Sequence, residues 1–286
     1  MKLVSYLDST NASSVPSWGA LIEESVVDLA TPELRTLREA ILRERIEGIA
    51  RRLSDTQALK IMPLSRATLL PPIVDAEKIL CVGLNYLRHA EEAKQVVPQR
   101  PSVFVRFNSS FVGHGQPVIC PRESEQFDYE AEIAVVIGRR ARRVSEADAL
   151  EVVAGYTCIA ENSVRDWQRH SNQATPGKNF VNSGGFGPWL VTQDEAPAPT
   201  DMVVTGRLNG EVVQHDSAAN MIFSIPQIIA YVSTFTELMP GDVIATGTPA
   251  GVGMSRKPPR FLREGDTFEV AISGVGELRN PVHNDF

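Results

Sequence analysis

Residues 127–138, FDYEAEIAVVIG, alternate in type. On a strand, side chains two apart point the same way, with about 6.5–7 Å between their Cα atoms. Asp128, Glu130 and Glu132 therefore share one face, and Tyr129, Ala131, Ile133, Val135 and Ile137 share the other. Carboxylates are aimed at one place, either the wet side of a half-exposed strand or a site. A second polar cluster lies in GYTCIAENSVRDWQRHSNQATPGKNF, residues 155–180, where an apolar strand runs into Glu161, Arg165, Asp166, Gln168, His170 and Lys178. Ion pairs on a surface loop would give this composition. So would a site for a carboxylate-bearing substrate, which Arg and Lys recognise through charged hydrogen bonds.

Two further stretches carry usable chemistry. TGTPAGVG, residues 246–253, has neither Walker nor GxGxxG spacing, but its backbone N–H groups and the Thr248 hydroxyl could grip an anionic oxygen. In GLNYLRHAEEAKQ, residues 83–95, His89 and Glu92 stand three apart, so on a helix the carboxylate could orient the imidazole. No Ser–His–Asp order, HExxH or cysteine motif competes with them.

The elements that must position these residues are mostly strands. Residues 1–70 have the pattern of a small αβ module, with a charged helical stretch near 32–53, closed by Pro71-Pro72. Residues 71–286 carry many short β-branched and aromatic runs, a tight hairpin at Asn209-Gly210, and helices near 85–96, 145–153 and 224–238, the last capped by Ser224. The expected class is α+β and β-rich. A chain of 286 residues with 43% hydrophobic and 22% charged residues is ordinary for a soluble globular protein, and the formal net charge of −7 argues against nucleic-acid or anionic-membrane partners. The basic run Arg139–Arg143 is expected to be a solvated turn. Three cysteines without a CxxC pair, no apolar leader at the N-terminus and no apolar run of membrane-spanning length point to a cytoplasmic protein.

Taken together and in this order, VGLNYLRHAEE, FDYEAEIAVVIG, GYTCIAENSVRDWQ, GKNF with GPWLVT, PGDVIATGTPAGVG and GDTFEVAISGVGELRNPV resemble the fumarylacetoacetate hydrolase superfamily over roughly residues 70–283. The resemblance implies a mixed β-roll, a homodimer and a divalent cation, Mg²⁺ or Mn²⁺, held by Glu130, Glu132 and Glu161. Glu130 and Glu132 would then be two oxygen ligands of one hard ion. The resemblance also places Arg165, Gln168 and Lys178 around the substrate's oxo groups, Thr248 on its carboxylate, and His89 with Glu92 on a lid helix that activates water.

The chain departs from that pattern twice. Glu161 stands where the family usually has Asp, lengthening the reach by about 1.5 Å. Arg106 stands where many relatives carry Lys, and is expected to clamp a substrate carboxylate or hydroxyl. The implied activity is hydrolysis of the C–C bond of a 2,4-dioxo acid, an acylpyruvate or 2,4-diketo-3-deoxy sugar acid, to a 2-oxo acid and a second acid. The alternatives are an isomerase or decarboxylase acting on an unsaturated 2-hydroxy or 2-oxo diacid, or a catalytically degenerate protein that binds oxo acids.

Overall fold

The alternating stretch folds as two strands rather than one. In the computed structural model, which describes residues 1–11, 13–55 and 60–285, Phe127–Asp128 pairs with Ser163–Val164, and Ala131–Ile137 pairs antiparallel with Val153–Ala160. Between them the chain leaves the ladder at Tyr129 and Glu130, bridged by the Glu161 N–H donating to the Glu130 carbonyl at 2.9 Å. Every residue of Ala131–Ile137 is buried, so this is a central strand with no wet face. Ile133, Val135 and Ile137 join one core with Val204, Phe268 and Val270. Ala134 and Val136 join a second with Leu37, Ile41 and Leu190. Each large aliphatic side chain removed from water in this way stabilises the fold by about 1.5–3 kcal/mol.

The fold is α+β and strand-rich. Ala131–Ile137 lies inside a 12-stranded mixed sheet, between Val153–Ala160 and Val243–Ala245. The sheet continues through the parallel strand Ile79–Val82 to Val103–Arg106 on one side, and through Gly184–Thr192 to Lys2–Asp8 on the other. Strands on both sides of position 70 thus belong to one sheet. A five-stranded sheet, containing Val203–Leu208, Thr267–Ile272 and Gly276–Asn284, packs against its centre through the first core. The hairpin forms as expected, with Asn209 and Gly210 both left-handed at φ 53° and 82°.

The helix Leu37–Ser54 starts at a Thr36–Glu39 capping box, and Ile225–Phe235 at a Ser224–Gln227 box with Pro226 in its first turn. The two other expected helices are shorter. Leu87–Glu92 closes after six residues, because Lys94 turns left-handed and Val96-Val97-Pro98 cannot extend the helix. Near 145–153 only the 3₁₀ turn Ala149–Val152 forms before the β-branched Val153 enters the central sheet. In the basic run, Arg139 pairs with Glu47 and Arg140 with Glu237. No described helix is long and apolar enough to cross a membrane. Cys81, Cys120 and Cys158 are free thiols.

Candidate active site

Register brings the acids together. With Ala131 opposite Ala160 and Glu132 opposite Ile159, Glu161 emerges beside Glu130 at the break in the ladder. The carboxylates of Glu130, Glu132 and Glu161 each offer an oxygen within 4.8 Å of the others, and all three residues are buried. Oxygens bound to one hard cation at about 2.1–2.5 Å lie at most about 5 Å apart, so the spacing and the all-oxygen donor set fit such an ion.

The cations around them arrive on short elements. Arg165, at the start of the helical turn Arg165–Gln168, donates from Nε to Asp128 Oδ2 at 2.8 Å and places Nη2 2.7 Å from Glu130 Oε1. Lys178, at the end of Thr175–Lys178, donates to Glu130 Oε2 at 2.6 Å and to Glu161 Oε2. Arg106, ending its strand, donates from Nη1 to Glu161 Oε1 at 3.1 Å. Four buried carboxylates, Asp128, Glu130, Glu132 and Glu161, thus face three buried cations. Among the described residues Glu132 has no ionic partner, and its carboxylate accepts only the Gly247 N–H at 2.8 Å.

The electrostatics follow this imbalance. Burial first, then the charges of Glu161 and Glu130, push the Glu132 carboxyl well above the usual range. Burial also acts on Glu130, but Arg165 and Lys178 outweigh it and hold that group below the usual range. Glu161 is raised, by burial before the Glu130 charge, against the opposing pull of Lys178. Lys178 is itself drawn down by burial, yet Glu130 and Glu161 leave its ammonium more firmly protonated than usual. One buried negative charge without a partner is what a divalent cation would neutralise.

The glycine-rich turn grips anionic oxygens, but they are the protein's own. Gly247 N–H holds Glu132, Gly251 N–H holds both oxygens of Glu92 at 3.0 Å, and Gly253 and Met254 N–H hold Asp128 at 2.7 and 3.0 Å. The turn needs glycine at two of these places. Gly247 and Gly251 have φ of 103° and 107°, and a Cβ would stand 2.6 Å from Asn85 Cβ at the first and 2.1 Å from the Val213 carbonyl at the second.

The helix Leu87–Glu92 is fastened to this turn through Glu92. His89 Nδ1 lies 2.7 Å from Glu92 Oε1; a carboxylate can only accept, so Nδ1–H donates, and in the neutral imidazole the lone pair is then on Nε2. Asn85 fixes the approach to the helix by donating to the Phe223 and Thr246 carbonyls at 3.0 and 2.7 Å.

Most residues expected from the sequence therefore converge. Glu130, Glu161, Lys178 and Arg165 form one buried ionic network with Glu132 beside it, and Gln168 is attached through an Arg165 Nη1–H bond of 3.1 Å. Two residues take other positions than expected. Arg106 has no donor left to clamp a substrate, because its N–H groups go to Ser110, Glu161, Asn162 and Ser183. The Thr248 hydroxyl donates to the Ala131 carbonyl at 3.0 Å and accepts from Gln214 at 2.7 Å, which spends its proton inside the protein.

From the sequence, Asp128 is placed on the face of Glu130 and Glu132 without a role, and Gln214 is not singled out. The alternation that singled out Glu130 and Glu132 contained the signal for Asp128. Gln214, a polar residue whose amide meets Ala131 N–H, Thr248 and Pro249, gave none. Asp128→Ala is expected to lower stability by about 3–5 kcal/mol, because it removes one of the two carboxylates paired with buried Arg165 and leaves Arg165 Nε–H and two turn N–H groups without their acceptor. Urea unfolding checks this, and a loss under about 1 kcal/mol would contradict it.

Fold and site together define a class: strand-rich α+β enzymes built on a buried carboxylate cluster and a short histidine-bearing helix, both fastened to one glycine-rich turn. The fumarylacetoacetate (FAA) hydrolase C-terminal family model matches residues 78–283, and the chain belongs to that family. It is 40% identical over 266 residues to the mitochondrial oxaloacetate tautomerase of Rattus norvegicus, covering 92% of this chain and 84% of that one. Among solved structures, the fumarylacetoacetate hydrolase of Exiguobacterium antarcticum matches with a TM-score of 0.85 at 33% identity, over 100% of both chains. The maleylpyruvate hydrolase of Sphingobium sp. SYK-6, solved with manganese(II) and pyruvate, matches with a TM-score of 0.82 at 25% identity, also over 100% of both.

Proposed function

We propose that this chain moves a proton at the carbon beside the ketone of a small 2-oxo diacid, interconverting its keto and enol forms as an oxaloacetate tautomerase does. The observation that carries the reading is a buried imidazole, His89, held at Nδ1 by Glu92, which is bonded to the same glycine-rich turn that holds Glu132 of a carboxylate cluster suited to a cation. His89 Nε2 takes the proton from the carbon and returns it to the enolate oxygen. Lys178 and Arg165 face the negative charge that develops. Glu130, Glu132 and Glu161 would hold Mg²⁺ or Mn²⁺, which supplies Lewis-acid stabilisation of that charge when bound. The 40% identity to a tautomerase across most of both chains supports this assignment.

Hydrolysis of a 2,4-dioxo acid is the second reading, supported by the likeness to the manganese- and pyruvate-bound maleylpyruvate hydrolase. There His89 would deprotonate water instead of carbon. Decarboxylation of a 2-oxo diacid would use the same charge stabilisation without the base. The three free thiols fit a reducing compartment, the cytoplasm in our reading and equally the mitochondrion for which the rat relative is named.

Deuterium exchange at C3 of oxaloacetate, followed by NMR in D₂O beside a panel of acylpyruvates, tests the order of these readings. The expected result is accelerated exchange that disappears with chelator and returns with Mn²⁺ or Mg²⁺. Release of pyruvate and a second acid from an acylpyruvate, with exchange no faster than without protein, would replace tautomerisation by hydrolysis.

A further inference from the structure

Arg106 and Glu161, on separate elements, touch each other. They stand 55 positions apart in sequence and meet at 3.1 Å, with side chains 0% and 1% exposed. Guanidinium has five N–H donors in a fixed fork, and at Arg106 all find acceptors within the protein. Nε donates to Ser110 Oγ at 3.0 Å, Nη1 to Glu161 Oε1 and the Asn162 carbonyl, and Nη2 to the Ser110 carbonyl and Ser183 Oγ at 3.3 and 2.9 Å. The Phe111 ring lies 4.2 Å from the guanidinium carbon and covers one of its faces. The fork can neither turn nor shed its charge. Its one contact with the carboxylate cluster is Oε1 of Glu161, whereas Oε2 is turned to Lys178 beside Glu130.

We propose that Arg106 is a positioning residue for the cation site: it pins one oxygen of Glu161 so that the other alone is presented to a divalent ion, and the two residues work as a matched pair. The extra methylene of glutamate gives the carboxylate enough reach to meet the fork and the ion together. Lysine at 106, with a compact ammonium on a flexible stem, cannot hold Ser110, Asn162, Ser183 and Glu161 in one geometry. Aspartate at 161, shorter by one carbon, cannot keep both contacts. Outer partners that orient a metal ligand are typically worth about 10–100-fold in metal affinity.

The test is Mn²⁺ binding to the metal-free full chain, followed by the EPR signal of free Mn²⁺, for wild type, Arg106→Lys, Glu161→Asp and the double variant. Each single change is expected to weaken binding about tenfold, and the double variant to be no more than about threefold weaker than the worse single variant, because a pair that works through one contact loses that contact once. A role for Arg106 independent of Glu161 would make the two losses multiply. Wild-type affinity in Arg106→Lys, or a double variant weakened by the product of the two single losses, overturns the proposal. If Arg106→Lys shows no cooperative thermal transition, Ser183→Ala replaces it, since it loosens the fork and keeps both charges; unchanged Mn²⁺ affinity there is equally fatal. The inference rests on the cation reading of the cluster. Wild type that binds no Mn²⁺ removes both, whereas wild-type binding with an indifferent Arg106 removes this inference alone.

Discussion

His89→Ala lowers kcat/KM for the keto–enol exchange by about 10³-fold, within the range usual for loss of a general base and equivalent to about 4 kcal/mol of transition-state stabilisation. The side chain is buried, its one bond among the described residues is to Glu92, and Nε2 is the atom the proposed reaction would use. Glu92→Gln sharpens the result. An amide can donate to Nδ1, which would move the imidazole proton to Nε2 and block the base, while its oxygen can still accept from Gly251. That variant is expected to lose about 10–100-fold in rate, as for other partners that orient a functional imidazole, with its melting temperature nearly unchanged. Steady-state kinetics and thermal unfolding on both proteins decide. If His89→Ala stays within threefold of wild type, His89 is not the base and the proposed reaction is wrong.

Glu132→Gln moves binding and stability in opposite directions. Mn²⁺ affinity falls by about 100-fold or more, since hard-cation affinity follows the number of charged oxygen ligands. The metal-free fold instead gains about 1–3 kcal/mol, because the substitution removes the cost of desolvating a charged group that has no ionic partner. The isosteric amide keeps an oxygen for Gly247 N–H. The sign of the pH dependence supports the same experiment. A carboxyl whose folded pKa is raised contributes stability below its ordinary value of 4.5 and loses it as pH rises through the folded pKa. Wild type and variant should therefore unfold alike in acid and diverge toward neutral pH, in the variant's favour, when chelator is present. Denaturant unfolding at several pH values, together with Mn²⁺ titration, checks both halves. A less stable variant, or one that binds Mn²⁺ as tightly as wild type, would show that Glu132 is neither the unpaired charge nor a ligand.

Local periodicity determined much of this site in advance. A period of two singled out Glu130 and Glu132, which do meet although Glu130 sits in the break before the strand, and a separation of three places His89 over Glu92 on any helical turn. Ser224 before Ile-Pro and Asn209-Gly210 between two strands fixed a helix start and a hairpin through bonds and dihedrals that neighbouring residues supply themselves. The family motifs added what spacing could not, linking Glu161 and Lys178 to the glutamate pair.

Tertiary structure decided the rest, because the outcome depended on groups distant in sequence. Whether Ala131–Ile137 had a wet face was settled by a second sheet packing on one side and the helix Leu37–Ser54 on the other. The glycine turn's N–H groups were legible as anion donors, but not that their anions would be Glu132, Glu92 and Asp128, separated by as many as 159 positions in the last turn-to-helix bond. The Thr248 hydroxyl and the Arg106 fork were chemically free in the sequence and are committed in the fold, since a buried donor must find an acceptor and the nearest ones belong to the protein. Sequence specifies which side chains can share a face; strand register and close packing determine which partner each buried polar group meets.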